Sequence, residues 1–589
     1  MKLFPARARL TGGHMLLIAS VMVSVGLVAA SGIYLYSMAN MRQNERNNDY
    51  YLGVAASEAA TEKVLSAVVT DFRNYGIGYV VQQLPNYRTS IPTASESSVW
   101  TNFTFTDLSG QANHIEVDYT SLPGFLPLAG QYGPLRATKD RLRILANAQP
   151  SQSLDGVVGS VYQDIELTSI PIFQYAVFYN VPLEFTPVPN MVITGPVHCN
   201  TNIYLNPYGV LTFNNDITSS GTIIEGPNPV SPLPALGGSI VYLGAHDSGL
   251  STLSLPIGTN NSPAAVHQVL ELPPGTLPAG SESATSSLGL QRYYNKADLV
   301  IIVSNATVSA RSGRWNNFAT VLGTNDYSVF LSTNASFYNK RENKTVQAIQ
   351  IDVSKLVQWN ATNGTIRPSL PLHDVRVIYV ADARTFAAGN ESGVRVVNGV
   401  TLPPQGLTLA TPAPLYVQGN YNVPASALGT TNTSGTVPAS FASDAVTVLS
   451  TNWNDANSTL ALSLRVAGNT TVNAAFLTGI VGSCAASDSG GVENIPRFLE
   501  DWSTVSKTFT YNGSIVCMFY SQVATNYWIN MGAAPSGPDI YNPPVRNWAL
   551  DQNYQTETKL PPATPSLAIL SRANWRTPAA YTTNVLAGY

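Results

Sequence analysis

Residues 15–36 read MLLIASVMVSVGLVAASGIYLY, from Met15 to Tyr36, and no Asp, Glu, Lys or Arg occurs between Arg9 and Arg42. An α-helix rises about 1.5 Å per residue, so this stretch covers the roughly 30 Å hydrocarbon core of a bilayer. Lys2, Arg7 and Arg9 precede it; Arg42, Glu45 and Arg46 follow it. Three readings fit: a permanent single-pass anchor, a secretory signal cut after Val28-Ala29-Ala30, or a prepilin-type segment. In the third, a short basic leader, residues 1–13, is removed after Gly13 and the apolar helix stays. The run outlasts the roughly 7–15 residues of a usual signal core and continues through Ile33-Tyr34-Leu35-Tyr36, which weighs against the signal. In either retained form the basic N-terminus stays cytoplasmic and the body lies outside, periplasmic or extracellular.

Beyond the apolar run the helical signal persists. Leu52, Ala55, Ala59, Leu65, Val68 and Phe72 recur mostly at three- and four-residue steps, with Glu58, Glu62, Lys63, Asp71 and Arg73 between them. Asn74-Tyr75-Gly76 is a natural stop, because Gly76 accepts the left-handed cap conformation. The spacing predicts one helix over about residues 14–75, roughly 90 Å long. Gly26 and Ala30 form a small-xxx-small step that permits close helix approach.

These residues carry a resemblance. A basic leader ending in Gly12-Gly13, an apolar helix, and Ala55-Ala56-Ser57-Glu58-Ala59-Ala60 together resemble the N-terminal region of PilX-type minor pilins of type IV fimbrial biogenesis and related pseudopilins. The likeness covers about the first 75 residues. It implies cleavage by a prepilin peptidase between Gly13 and His14, and packing of the helices, with Gly26, Ala30 and Glu58 among the contact residues, in a filament core of pilin-like subunits. Two positions depart from the major-pilin pattern: His14 replaces the usual Phe or Met, and Ile18 stands where a glutamate is usual. The runs over residues 173–205, 415–422 and 474–502 (the last containing GGVENIPRFLEDW) are similar to large exported bodies that follow such N-termini, for which the resemblance implies no activity.

Composition agrees with an exported, turn-rich body. Charged residues make up 11% of the 589, against about 25% in an average soluble protein, and there are 44 Gly and 39 Pro. The net charge of −4 offers no broad basic surface, so nucleic-acid binding is excluded. Cys199, Cys484 and Cys517 form neither a disulfide framework nor a metal ladder; a Cys484–Cys517 pair and buried free thiols both remain open. Sequons such as Asn305-Ala306-Thr307 and Asn469-Thr470-Thr471 fall within chance in a chain this rich in Asn, Ser and Thr.

Residues 76–170 form a mixed connecting region. Residues 115–119 (IEVDY) alternate as a strand, 142–148 fit helix or strand, and 158–170 look extended. From Phe173 short apolar runs alternate with Gly, Asn and Pro turns. The fold class expected is mainly β: a long N-terminal transmembrane α-helix, then a β-rich body over 171–589, parallel β-helix-like, with a β-sandwich as the alternative. Asn at the corners is expected to serve through its tolerance of the left-handed conformation. Residues 223–295, rich in Pro, are expected to be an insertion. Asn512-Gly513 predicts a hairpin, and residues 493–502 (ENIPRFLEDW) predict a short helix with Asn494 as cap.

Catalytic grammar is sparse: no G-x-S-x-G, H-E-x-x-H, P-loop, C-x-x-C or EF-hand pattern is present. His198 beside Cys199 suggests a thiol–imidazole pair, but neighbours on a strand face opposite ways. His373-Asp374 is unspecific. A β-helix enzyme acting on glycans would need Glu184, Asp216, Glu225 or Asp374 to converge on a groove, and a carbohydrate-binding adhesin would need exposed rings from Trp502, Tyr511, Tyr520, Tyr527, Trp528, Tyr541 or Trp548. The reading favoured over both is a non-enzymatic structural protein of the cell membrane, needing no cofactor, whose partners are the membrane, other pilin-like subunits and a prepilin peptidase.

Overall fold

The computed structural model describes residues 13–153, 156–275, 282–313, 320–370, 374–504, 506–530 and 537–578. Helix α1 (Gly13–Tyr75) is unbroken over 63 residues. It stops where expected: Gly76 takes a φ of 80° while its N–H still reaches Phe72 O at 3.0 Å. Helix α2 (Ile77–Arg88) then turns back on α1, with Val80 and Tyr87 buried between them.

The buried face of α1 is not the expected stripe. Leu65, Val68 and Phe72 are inside, but Leu52 and Ala55 are exposed and Ala59 only half-buried. The seat begins instead with Gly53, Ala56, Ser57, Ala60, Thr61 and Val64. Close approach to a sheet decides this, because the helix can sit that near only on its smallest residues.

That sheet is the connecting region. Strands β1 (Phe103–Thr106), β2 (Glu116–Pro127), β3 (Arg136–Pro150) and β4 (Gly159–Pro171) pair antiparallel, β3 meeting β1, β2 and β4. The ambiguous 142–148 therefore lies within β3. A strand with no forecast, Ser566–Arg576, returns from the far end of the chain and pairs antiparallel with β4, Leu570 opposite Leu167. The packed face holds a core of its own, with Val64, Val68, Phe72, Ile144, Leu142, Ile165 and Leu167.

From Val177 the pairing becomes parallel. Strands β5 (Val177–Tyr179), β6 (Leu183–Phe185) and β7 (Met191–Ile193) belong to three different sheets. Each pairs in register with a strand 20 residues on: β8 (Val197–Cys199), β9 (Ile203–Leu205) and β10 (Val210–Phe213), with Val177 opposite Val197, Leu183 opposite Ile203 and Met191 opposite Leu211. A third turn adds β11 (Ile217–Ser219), β12 (Ile223–Glu225) and β13 (Ser239–Tyr242), and β14 (His246–Asp247) starts a fourth. The expected insertion thus contains strands of the same ladders: irregular chain over 226–238 interrupts them, and short helices begin only after Asp247.

The central sheet is continuous from β14 through β11, β8 and β5, then Ile515–Tyr520, Ala475–Ile480, Ala439–Ser443, Leu407–Ala410, Val377–Asp382 and Leu299–Val303. All those pairings are parallel. The chain therefore enters this stack in its middle, at β5. It runs to one end, crosses to the other by residues 248–298, and works back until Ile515 lies opposite Val177. The crossing spans nine strand spacings of about 4.8 Å, roughly 43 Å. It is held down by Leu253, Leu255, Ile257, Val266 and Leu270, all buried in the main core.

Two local expectations fail for one reason, the demands of the stack. Residues 512–513 form no hairpin: Thr508–Asn512 and Ile515–Tyr520 lie in different sheets, and neither Asn512 nor Gly513 has the positive φ that a two-residue hairpin turn requires. A Cβ on Gly513 would lie 2.1 Å from Ala474 O, so the glycine serves close stacking. Residues 493–502 form no α-helix. A 3-10 turn (Val492–Asn494) leads into a strand, Pro496–Arg497, paired parallel with Val446–Leu449, and the Asn494 amide donates to Gly490 O instead of capping.

Corner asparagines act in two ways: Asn398 and Asn422 take the expected positive φ, 56° and 53°, whereas two others act through their side chains. Asn190 Oδ1 accepts from Val210 N and Asn202 Oδ1 from Thr222 N, both at 2.9 Å and both across one 20-residue turn. Neither has positive φ. Each carboxamide occupies the space that a Cβ on Gly209 or Gly221 would need, 2.6 and 2.3 Å away respectively.

Candidate membrane and assembly element

The apolar half of α1 is exposed along its whole described length. Met15 is 82% exposed and Tyr36 70%, and a Cβ on Gly26 would meet no atom within 4 Å. Gly26, Ala30, His14 and Glu58 are all exposed, leaving the expected packing residues open on the helix surface. Gly13 begins the helix; the leader residues Lys2, Arg7, Arg9 and Gly12 lie outside the described residues. α1 is long and apolar enough to cross a membrane.

Its few polar groups suit hydrocarbon. Ser20, Ser24 and Ser31 donate their hydroxyls to Leu17 O, Ser20 O and Leu27 O at 2.9, 2.7 and 2.7 Å, so each is satisfied within the helix. Tyr34 and Tyr36 stand at the C-terminal edge of the run, followed by Arg42, the order expected at a bilayer interface. Sixteen residues, 37–52, separate Tyr36 from the first buried position, Gly53, a reach of about 24 Å.

At Gly53 the helix meets Gly159, the first residue of β4. A Cβ on Gly159 would lie 2.1 Å from Val54 N, and one on Gly53 2.7 Å from Ala148 O. Ser57 Oγ donates to Gly159 O at 2.8 Å; Gln163 Nε2 donates to Thr61 Oγ1 at 3.1 Å and Glu62 Oε1 at 2.9 Å. Arg572, from the returning C-terminal strand, pairs with Glu62 at 2.7 Å. Glu58 lies on the opposite, outward side of this seat.

The chemistry suggested by sequence is dispersed. His198 and Cys199 do not meet: His198 Nδ1 is 2.9 Å from Thr218 Oγ1, whereas the Cys199 thiol donates to Val181 O at 3.3 Å. Burial holds the imidazole down at about 4 and pushes the thiol up to about 11, so both are neutral near pH 7. All three cysteines are free; Cys484 and Cys517 are not bonded. Asp216 caps Ala245 N at a corner, Glu225 accepts from Tyr242 OH, and Asp374 pairs with Arg367. Glu184 lies in a different, buried setting between Asn228 and Ser483. His373 lies outside the described residues.

Trp502, Tyr511 and Tyr541 are buried, and the rings of Phe498, Trp502, Phe509, Tyr511 and Trp548 pack against one another. Trp528 stacks at 4.0 Å on Tyr541. Tyr520 is the most open, at 42%.

Sequence reading missed a set of buried acids. Burial lifts Glu184 to about 6 and Glu391, Glu493 and Glu500 to about 7. Glu493 Oε1 accepts from Thr186 N and Oγ1, both at 2.8 Å, while its Oε2 has no hydrogen-bond partner among the described residues. Nothing local marks these glutamates; they lie inside because strands distant in sequence close over them. No family model, curated protein or solved structure matches the chain.

Proposed function

We propose that the chain is a membrane-anchored display subunit of the minor-pilin or pseudopilin kind. The observation that carries this reading is the division of α1: one rigid helix with an apolar, wholly exposed half and a second half wedged into the body. A helix so exposed requires lipid or other helices around it, since its apolar area in water carries an unfavourable free energy of about 25 cal/mol per Å². The leader ending at Gly13 and the small-residue step at Gly26 and Ala30 support exchange between these two surroundings, from the bilayer to a core of similar helices. In this reading a prepilin peptidase cuts before His14, the N-terminus faces the cytoplasm before cleavage, and the body is carried outside as a parallel β-helix. The 20-residue step and the three parallel ladders support that last assignment.

N-terminal analysis of the mature protein tests the proposal. A start at His14 is expected. An intact Met1 would leave a plain anchor, and a start near Ser31 would overturn both, because most of the membrane helix would be gone.

A further inference from the structure

We propose that the flank of the body carries a binding cleft for a neutral saccharide. A cavity of about 380 Å³ opens over the sheet formed by Thr470–Asn473, Thr508–Asn512 and Val545–Ala549. That volume lies within the roughly 300–1,000 Å³ range of ligand pockets. Its floor is Thr471 beside Thr510, in ladder register, with Asn547 next in the row. Its roof is the loop carrying Leu428 and Gly429, pinned from below: Gly429 N donates to Thr471 Oγ1 at 2.9 Å and Asn547 Nδ2 to Gly429 O at 3.1 Å. Asn512 Nδ2 adds a bond to Thr430 O at 3.0 Å. The cleft is therefore preformed.

The groups left over define its chemistry. Thr510 is 1% exposed, yet its hydroxyl makes no hydrogen bond among the described residues. Asn420 and Asn469 use Oδ1 to hold Thr471 N and Thr508 N, both at 2.9 Å, which leaves both Nδ2 groups as donors at the cavity wall. Thr508 adds a hydroxyl, and Leu428, 45% exposed, adds an apolar edge. Among the described residues, no charged side chain lines the space. An ion would find no countercharge there, and a purely apolar ligand would strand these donors at a cost. A ring bearing several hydroxyls and one apolar face matches the set. The aromatic rings of Phe509 and Tyr511 alternate with Thr508 and Thr510 along one strand and so lie on the other face of this sheet.

The test uses the full chain in lipid nanodiscs. Saturation-transfer NMR and calorimetry would screen glucose, galactose, mannose, N-acetylglucosamine and their short oligomers, with glucuronic acid and a pool of uncharged peptides as contrasts. At least one neutral saccharide is expected to bind, and Thr510→Val to weaken it about tenfold, the effect of one hydrogen bond worth about 1.4 kcal/mol, without changing the melting temperature. Leu428→Ala, at the exposed rim, is the second variant and is expected to weaken binding about threefold. Binding by no neutral saccharide, equal binding in both variants, or binding of the peptides alone would overturn the proposal.

Discussion

Asn202 and Gly221 act as one unit. The carboxamide supplies the acceptor that Thr222 N needs at a bend, and the glycine leaves the space for it. Asn202→Ala should lower stability by about 1 kcal/mol, the usual net worth of such a bond. Gly221→Ala should cost about 1–3 kcal/mol through overpacking. Because the two share one space, the double variant should lose less than the sum, by more than about 0.5 kcal/mol in a chemical-denaturation cycle. Glu493 gives a pH signature at the same scale. Its folded value, about 7, lies above its ordinary 4.5 because burial penalises the charge, with Arg546 opposing. The protonated form is thus favoured in the fold: its contribution is fully present below pH 4.5 and is lost as pH rises through 7. Glu493→Gln should leave melting at pH 4 nearly unchanged and raise stability at pH 8, by an amount on the order of 2 kcal/mol. Such buried acids are not legible in sequence, where Glu493 stands just before the expected helix cap, Asn494.

At the scale of elements, the seat of α1 rests on two glycines. Gly159→Ala pushes a methyl against helix backbone, which no rotamer change relieves. Hydrogen exchange should then accelerate across Gly53 to Phe72 while amides of the parallel ladders keep their protection, with a loss of about 1–3 kcal/mol. Equal protection in the variant would mean that the helix is held elsewhere. The helix itself was legible: hydropathy gave its first half and Gly76 its end. Its buried face was not, because periodicity marks the larger apolar residues and the seat selects Gly, Ala and Ser. Individual strands are also readable as short apolar runs, but the corner at Ala474, which divides Thr470–Asn473 from Ala475–Ile480 between two sheets, is not. The 20-residue step was present in Val177, Val197 and Ile217 and in Leu183, Ile203 and Ile223. It was obscured because the third turn expands between Glu225 and Ser239.

At the scale of the molecule, order along the chain and order along the stack part company, and no local pattern announces it. Ile515 meets Val177, and Ser566–Arg576 meets β4, through pairings that only the finished fold brings together. Both spatial ends of the central sheet are mid-chain segments, so a shortened chain would not yield a shorter sheet of the same order. A stop after Asn512 removes the strand beside β5 and should split the stack at its centre. Far-ultraviolet dichroism should keep strand signal, while light scattering should report association through the bared β5 edge. A monodisperse product would contradict this. The same arrangement sets a timetable. At synthesis rates of about 5–20 residues per second, β5 waits on the order of tens of seconds for the strand at Ile515 to be made. If the body is carried outside as proposed, with α1 left in the membrane, the early three-turn fragment would spend that interval there bare on both edges. Escorting that early fragment, more than closing the last strand, is then the vulnerable moment in making this protein.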